Sequence, residues 1–214
     1  NKRLKVAIDC GNAAGCIIIP YLYEKFNIEL HKLYCDIDGN FPNHHPDPTV
    51  DTNLVDLQNF VIKNKCDVGL AYDGDADRIV AIDENGAIIR SDILISIFLS
   101  KIINKGDSVV YDVKCSKALE DMINRFNGNP IMWKTGHSLI KNKMKEEKAK
   151  IGGEMSGHIF FADDYYGYDD AIYVGLRLLE LLSNQDMKLS EIVSEVPKYF
   201  STPELRFDCN DDKE

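Results

Sequence analysis

The sequence predicts an α/β layer fold. Three observations carry the prediction. Short apolar segments fit for buried strands alternate with helical segments from one end of the chain to the other. The apolar fraction, 44% of 214 residues, is that of an ordinary globular protein, with enough chain for one large domain or two small ones. The most chemically loaded stretch, Asp73-Gly-Asp-Ala-Asp-Arg78, lies on a loop between two such strands. We read two layered α/β units, residues 1–89 and 90–200, with the boundary near residues 88–92 and a trailing segment over 201–214.

Leu4-Lys-Val-Ala-Ile8 is the first strand, and Asp9-Cys-Gly-Asn-Ala-Ala-Gly15 turns it into a helix expected over 16–27. That glycine loop matches neither a dinucleotide-binding nor a P-loop pattern, so tight-turn geometry is the better reading of Gly11 and Gly15. Glu29 to Tyr34 is the next strand. Three prolines between Asp36 and Pro48 exclude regular structure there, and His44 and His45 have no metal-ligand spacing around them. Asp51 to Lys65 predicts an amphipathic helix with Leu54, Leu57 and Val61 on one face. It leads into strand Val68–Tyr72, the aspartate loop, strand Ile79–Ile82 and a turn at Asp83-Glu-Asn-Gly86.

The second series opens with Ser91-Asp92 as a cap for an apolar helix over 93–104. Strand 107–112 places Lys114 at its end, where α/β folds hold ligands. A helix over 117–126 and strand 130–133 follow. Lys134-Thr-Gly-His-Ser138 then opens a helix, either as an anion-binding turn bearing the His137 imidazole or as an ordinary start capped by Ser138. In Gly153-Glu-Met-Ser-Gly-His158 the residues Glu154, Ser156 and His158 alternate. An extended loop would turn this carboxylate, hydroxyl and imidazole to one side, a set suited to vicinal sugar hydroxyls; core-satisfied groups are the other reading. A long helix over 166–184 would carry Asp169 and Asp170 in its first turn, where they suit the helix dipole structurally. A short helix ends the series at 189–196.

Clustered carboxylates such as Asp73, Asp75 and Asp77 raise one another's pKa values unless a cation holds them. A hard dication such as Mg2+ takes oxygen ligands and keeps positions open for water or phosphate. An EF-hand is excluded despite Glu84 at the twelfth position, because Arg78 occupies the required glycine and the flanks read as strands. Net charge is −10 with no basic block, which argues against nucleic acid. No apolar run reaches membrane-spanning length and no signal-peptide pattern opens the chain, so a soluble cytoplasmic protein is expected. The six cysteines form no Cys-x-x-Cys pair and are expected reduced. With no initiator Met, and with an end that starts like a strand at Leu205 and stops in charge, the chain reads as part of a longer polypeptide.

Five stretches in this order resemble the α-D-phosphohexomutase family: Asp38 to Pro48, Asp73 to Arg78, Asp112 to Cys115, Trp133 to Ser138 and Gly153 to His158. The resemblance covers essentially the whole chain and is closest to the bacterial phosphomannomutase/phosphoglucomutase group. It implies α/β/α domains with mixed sheets, the second and third of four, with neighbouring N- and C-terminal domains outside this chain. It implies Mg2+ on Asp73, Asp75 and Asp77, and Arg78, Lys114 and His137 as catalytic groups. Glu154, Ser156 and, less specifically, His158 would hold substrate. The implied substrate is a hexose phosphate, with a hexose 1,6-bisphosphate as intermediate and activator and a phosphoserine in the absent first domain. No Thr-Ala-Ser-His-Asn-Pro-type motif occurs in this chain, so the chain alone is expected to be inactive. Met155 favours mannose or glucose phosphate, since phosphoglucosamine mutases usually carry Gln there; Ala76 replaces a common Gly. A phosphoglucosamine mutase, or a non-catalytic cation or sugar-phosphate binding module, are the alternatives.

Overall fold

A computed structural model describes residues 2–200; the expected trailing segment at 201–214, with the strand-like start at Leu205, lies outside the described residues. Two mixed sheets form. In the first, β1 (Leu4–Asp9) is a nearly continuous apolar run and lies inside the sheet, while β2 (Ile28–Leu33) alternates polar and apolar residues and takes an edge. β3 (Val68–Tyr72) pairs parallel to β1 on its other side, then β4 (Ile79–Asp83) and the two-residue β5 (Ile88–Ile89) add antiparallel, giving the order β2-β1-β3-β4-β5.

The second sheet repeats this path. β6 (Ser108–Asp112) lies between parallel neighbours β7 (Asn129–Trp133) and β8 (Ile151–Gly153), and β9 (Ile159–Phe161) returns antiparallel to β8, giving β7-β6-β8-β9. The first strand of each unit therefore stands inside its sheet, and each third strand is joined to the fourth by a hairpin. The two hairpin connections are residues 73–78 and 154–158.

The helices are α1 (Ile19–Tyr23), α2 (Val55–Asn64), α3 (Ser91–Ile102), α4 (Lys117–Arg125), α5 (His137–Glu147), α6 (Ala171–Ser183) and α7 (Leu189–Val193). Leu57 and Val61 of α2 pack with Ala7, Ala71, Val80 and Ile82 on one face of the first sheet. Ile140 and Met144 of α5 pack with Val110 and Phe160 on one face of the second. The remaining faces of both sheets share one apolar cluster, which includes Ile8, Tyr72 and Ile79 from the first unit and Leu94, Tyr111, Ile151 and Leu178 from the second. Helix α6 follows the second sheet in sequence yet packs against β1 and β4 of the first. The two units thus bury a common core, and each is an α/β/α layer only with the other's help.

Several elements differ from the expectation. The helix over 16–27 is a 3₁₀ turn (Ala14–Ile17) and then only α1, because β-branched Ile17 to Ile19 disfavour helix and Pro20 can enter only at a helix's first turn. Residues Asp51–Leu54 are also a 3₁₀ turn, ahead of α2. Ser91 and Asp92 lie inside α3 after Arg90, and Ser138 lies inside α5 after Gly136; neither Ser is a side-chain cap. α6 begins at Ala171, since Gly167 takes a left-handed φ of 73° and Asp170 caps the helix by accepting from the Tyr173 amide. Residues 154–158 form a tight turn, not an extended segment.

Close approach of α6 to the first sheet depends on Gly175. The buried Tyr23 and Tyr72 hydroxyls, hydrogen-bonded at 2.6 Å, lie against it, and a Cβ there would fall 2.6 Å from Tyr72 Oη and nearer still to Tyr23 Oη. Gly175→Ala is expected to lower unfolding free energy by about 1–3 kcal/mol, the usual cost of overpacking, although alanine is the better helix former by about 1 kcal/mol. Denaturant titration of the two proteins measures this.

Candidate active site

The two hairpin loops meet. The Ile79 amide donates to the Gly157 carbonyl at 3.2 Å, and the Ala171 amide to the Ala76 carbonyl at 3.1 Å. Gly157 has φ 113°, and a Cβ on it would lie 3.1 Å from the Arg78 Cβ, so a side chain there is excluded by both conformation and space.

Within the first loop Asp73 is buried, 1% exposed. Its Oδ1 accepts from the Asp77 and Arg78 amides, each at 3.0 Å, and its Oδ2 accepts from Arg78 Nε at 2.6 Å. Ala76 turns the chain with φ 62°, so that Asp73, Asp75 and Asp77 bring one carboxylate oxygen each within 4.8 Å of the others. Burial pushes the Asp73 carboxyl up to about 6 despite the bonds from Arg78. For Asp77 burial acts in the same sense, but the hydrogen bond and charge of His158 outweigh it and hold the carboxyl below its usual range. An all-oxygen donor set with a burial-strained carboxylate fits a hard dication, whose charge would offset the desolvation of Asp73.

His158 joins this loop to the second. Its Nε2 lies 3.2 Å from Asp77 Oδ2, while Nδ1 lies 3.0 Å from Glu154 Oε2 and 2.9 Å from Ser156 Oγ. Burial opposes its charge, but hydrogen bonds to Asp77 and Glu154 push its pKa up to about 9. Glu154 is itself buried, 2% exposed, and its other oxygen accepts from the Gly136 amide. The carboxylate, hydroxyl and imidazole therefore converge by turning on one another.

An open cleft of ≈ 460 Å³ lies between the units. Asp47, Arg78 and Arg90 line it from the first side, and Asp112, Lys114 and Ser156 from the second. Three cations thus gather in a chain of net charge −10. Arg78 reaches Asp47 at 3.5 Å, and Arg90 donates to the Pro48 carbonyl at 2.9 Å and pairs with Asp51. Asp112 is buried and accepts from Thr135 Oγ1 at 3.1 Å and the Met155 amide at 3.2 Å, tying three loops together. Asp92 does likewise for the Lys114 loop, accepting from the Ser116 amide at 3.0 Å.

His137 stands at the start of α5, about half exposed, stacked on His158 at 5.6 Å with 23° between the rings. Its Nδ1 lies 2.9 Å from Asp169 Oδ2, and Lys141 Nζ donates to both Asp169 oxygens at 2.9 and 3.0 Å. Asp169 therefore does more than complement a helix dipole. Asp77, His158 and Asp169 also come within 4.8 Å of one another, but a protonated imidazole and an ammonium already occupy that trio, which makes it an ion-pair network.

All nine residues singled out in the sequence thus lie on the two hairpin loops, the β6 loop or the start of α5. Asp47, Arg90, Lys141 and Asp169 were not singled out as site groups. Asp47 sits in a proline-rich loop and Arg90 in a strand-to-helix link, and neither has a spacing signal. Asp47 stood inside the Asp38 to Pro48 stretch, and Asp169 beside a glycine-aromatic turn was read only as a helix-dipole complement.

Fold and cleft define a class: two fused α/β/α units that share one acidic hairpin loop, one hydroxyl- and imidazole-bearing loop and a set of cations between them. Family models agree. Residues 1–86 match phosphoglucomutase/phosphomannomutase alpha/beta/alpha domain II, and residues 90–200 match alpha/beta/alpha domain III. The chain belongs to the phosphoglucomutase/phosphomannomutase family, within the α-D-phosphohexomutases. It is 44% identical over 213 residues to a phosphomannomutase/phosphoglucomutase of Pseudomonas putida and 45% identical over 206 residues to a phosphoglucomutase of Neisseria meningitidis. These alignments cover 99% and 95% of this chain but 46% and 45% of those proteins, so the chain spans about half their length. A crystal structure of a phosphoglucomutase/phosphomannomutase family protein from Burkholderia thailandensis superposes with TM-score 0.89 at 42% identity, over 95% of this chain and 44% of that one. Among the described residues no helix is long and apolar enough to cross a membrane.

The proline-rich loop that carries Asp47 is pinned by His44, whose Nε2 lies 3.0 Å from the buried Asp9 Oδ2. The Asp9 hydrogen bond raises the His44 pKa against the effect of burial. A raised folded-state pKa contributes stability that is complete below the unfolded value, about 6.5, and is lost as pH rises through the folded one. The stability gap between the parent and His44→Gln is therefore expected to be widest at mildly acid pH and to narrow toward pH 9, as read by urea unfolding at a series of pH values.

Proposed function

We propose that this chain is the central half of a phosphohexomutase acting on mannose or glucose phosphates. The observation that carries the reading is that Arg78, Lys114 and Ser156 line one cleft, with the Asp73–Asp75–Asp77 cluster on the loop that ends in Arg78 and with Thr135, two residues before His137, also in the lining. Asp73, Asp75 and Asp77 would hold Mg2+. When bound, the ion supplies positive charge beside a phosphoryl group in transfer.

The chain's own residues do the rest. Arg78, kept in place by Asp73 and Asp47, presents its guanidinium to equatorial phosphoryl oxygens. Arg90, on the same side, and Lys114, from the other wall, face a phosphate or hydroxyl. Ser156 meets a sugar hydroxyl directly, whereas Glu154 reaches one only if the 154–158 turn opens, because its carboxylate is closed in by His158 and Gly136. A serine phosphate carried elsewhere in the polypeptide gives its phosphoryl group to the sugar hydroxyl, whose proton passes to a base in the cleft, His137 or Lys114. The resulting hexose 1,6-bisphosphate turns over and returns its other phosphate to the serine. Met155, whose amide is bound by Asp112, goes with a mannose or glucose phosphate. A cytoplasmic setting suits a phosphorylated sugar substrate.

Mg2+ is expected to stabilise the chain against unfolding by about 2.7 kcal/mol at a hundredfold excess over its dissociation constant. Asp75→Asn is expected to abolish that gain while leaving the metal-free melting temperature nearly unchanged, since Asp75 is exposed; calorimetry with and without Mg2+ decides it. In the full-length protein, mutase activity on mannose and glucose 1-phosphates with a trace of bisphosphate is expected to fall about 100-fold or more in Asp75→Ala, the scale of a lost electrostatic catalyst. The 214-residue chain by itself is expected to show no turnover. Activity confined to glucosamine phosphate would move the reading to a phosphoglucosamine mutase, and Mg2+ binding without turnover of any sugar in the full-length protein would move it to a binding module.

A further inference from the structure

We infer that Asp169 is the positioning residue for His137: it fixes which ring nitrogen carries the proton and turns Nε2 into the acceptor offered to a sugar hydroxyl. The inference rests on the mutase reading given above. An ionised carboxylate only accepts hydrogen bonds, so the 2.9 Å contact with Asp169 Oδ2 requires the proton of a neutral imidazole to sit on Nδ1. Lys141, on both oxygens of Asp169, helps hold that carboxyl below its usual range, although burial opposes it, and so keeps it an acceptor. The ring plane is set from a second direction by the stack on His158, which Asp77 and Glu154 hold in turn.

A purely structural clasp between α5 and the start of α6 is the competing account. Lys141 and Asp169 complete such a clasp by themselves, through two bonds between part-buried side chains. His137 adds little to it, being about half exposed. What the His137 bond adds is orientation. His137 follows Thr135, which lines the cleft, and Gly136, whose amide is bound by Glu154. In the step this serves, the hydroxyl O–H bond breaks and its proton goes to Nε2. The hydroxyl oxygen forms a bond to phosphorus as the serine O–P bond breaks, the departing serine oxygen takes a proton from Lys114, and the reverse transfer restores both protons.

Histidine-selective 15N labelling of the full-length protein tests this, with kinetics on the same samples. The parent is expected to show His137 as the Nδ1–H tautomer. Asp169→Ala is expected to shift it to the Nε2–H form or a mixture and to lower kcat by about 10- to 100-fold, at the low end of the range for general acid–base catalysis, with less than about a threefold change in KM. Asp169→Glu is expected to restore the Nδ1–H signature and part of kcat. An unaltered His44 signal in the variants shows that the fold is intact. An unchanged His137 tautomer in Asp169→Ala, or a changed tautomer with kcat unmoved in an active enzyme, overturns the inference. A parent inactive on every hexose phosphate overturns the mutase reading and with it the role in transfer, while the tautomer spectra still report whether Asp169 orients the ring.

Discussion

A single part-buried imidazole holds the two halves of the cleft in register. His158 lies between Asp77 of the first unit and Glu154 of the second, protonated because the two carboxylates outweigh the cost of burial. Such an arrangement contributes little net stability compared with a well-packed apolar replacement, but removal of its centre leaves two carboxylates close together with no compensating charge. Its value lies in geometry. The Asp77 carboxylate is placed by the same ring that places Ser156, so the cation-type loop and the hydroxyl-bearing loop cannot drift independently. The backbone bond from Ile79 to Gly157 and the absence of a side chain at Gly157 make that proximity possible.

The site is also a product of repetition. Both sheets follow the same path, with the first strand inside and a hairpin joining the third and fourth. The aspartate loop and the Glu154–His158 turn are equivalent hairpins in that path. Asp9 and Asp112, both buried, end the equivalent strands β1 and β6 and serve the same purpose: Asp9 accepts from the Gly11 amide and holds His44, and Asp112 accepts from Thr135 and Met155. Packed with a shared core, two copies of one topology bring equivalent loops together, each carrying different chemistry.

Charge is distributed to match. The chain is acidic as a whole, yet Arg78, Arg90 and Lys114 face a single cleft. Neighbouring carboxylates hold the two arginines: Asp73 and Asp47 bind Arg78, and Asp51 binds Arg90. The guanidinium groups are thereby oriented before any ligand arrives, which limits the ordering cost of binding an anion.

Much of this was legible in sequence, because the signals were local. Alternating strand and helix patterns defined the layer class, and the Asp73–Arg78 and Gly153–His158 stretches declared their chemistry through residue type at short spacing. Local reading failed where the outcome depended on distant partners. Ser91 and Ser138 looked like helix caps, yet the Ser91 hydroxyl is taken by the Glu154 carbonyl 63 residues away, and α5 starts at His137 after Gly136, whose amide is bound by Glu154. Asp169 looked like a dipole complement, yet it binds His137 and Lys141, more than 25 residues earlier. The helix over 166–184 was overextended because periodicity does not reveal where a glycine turn and an aspartate cap stop it. By itself, then, the sequence determined the fold class and the two chemical loops, since backbone preference and ligand type are properties of short stretches. Only the tertiary structure decided that the loops face one another through His158, and which carboxylate orients which cation or imidazole, since those contacts join residues that the chain keeps far apart.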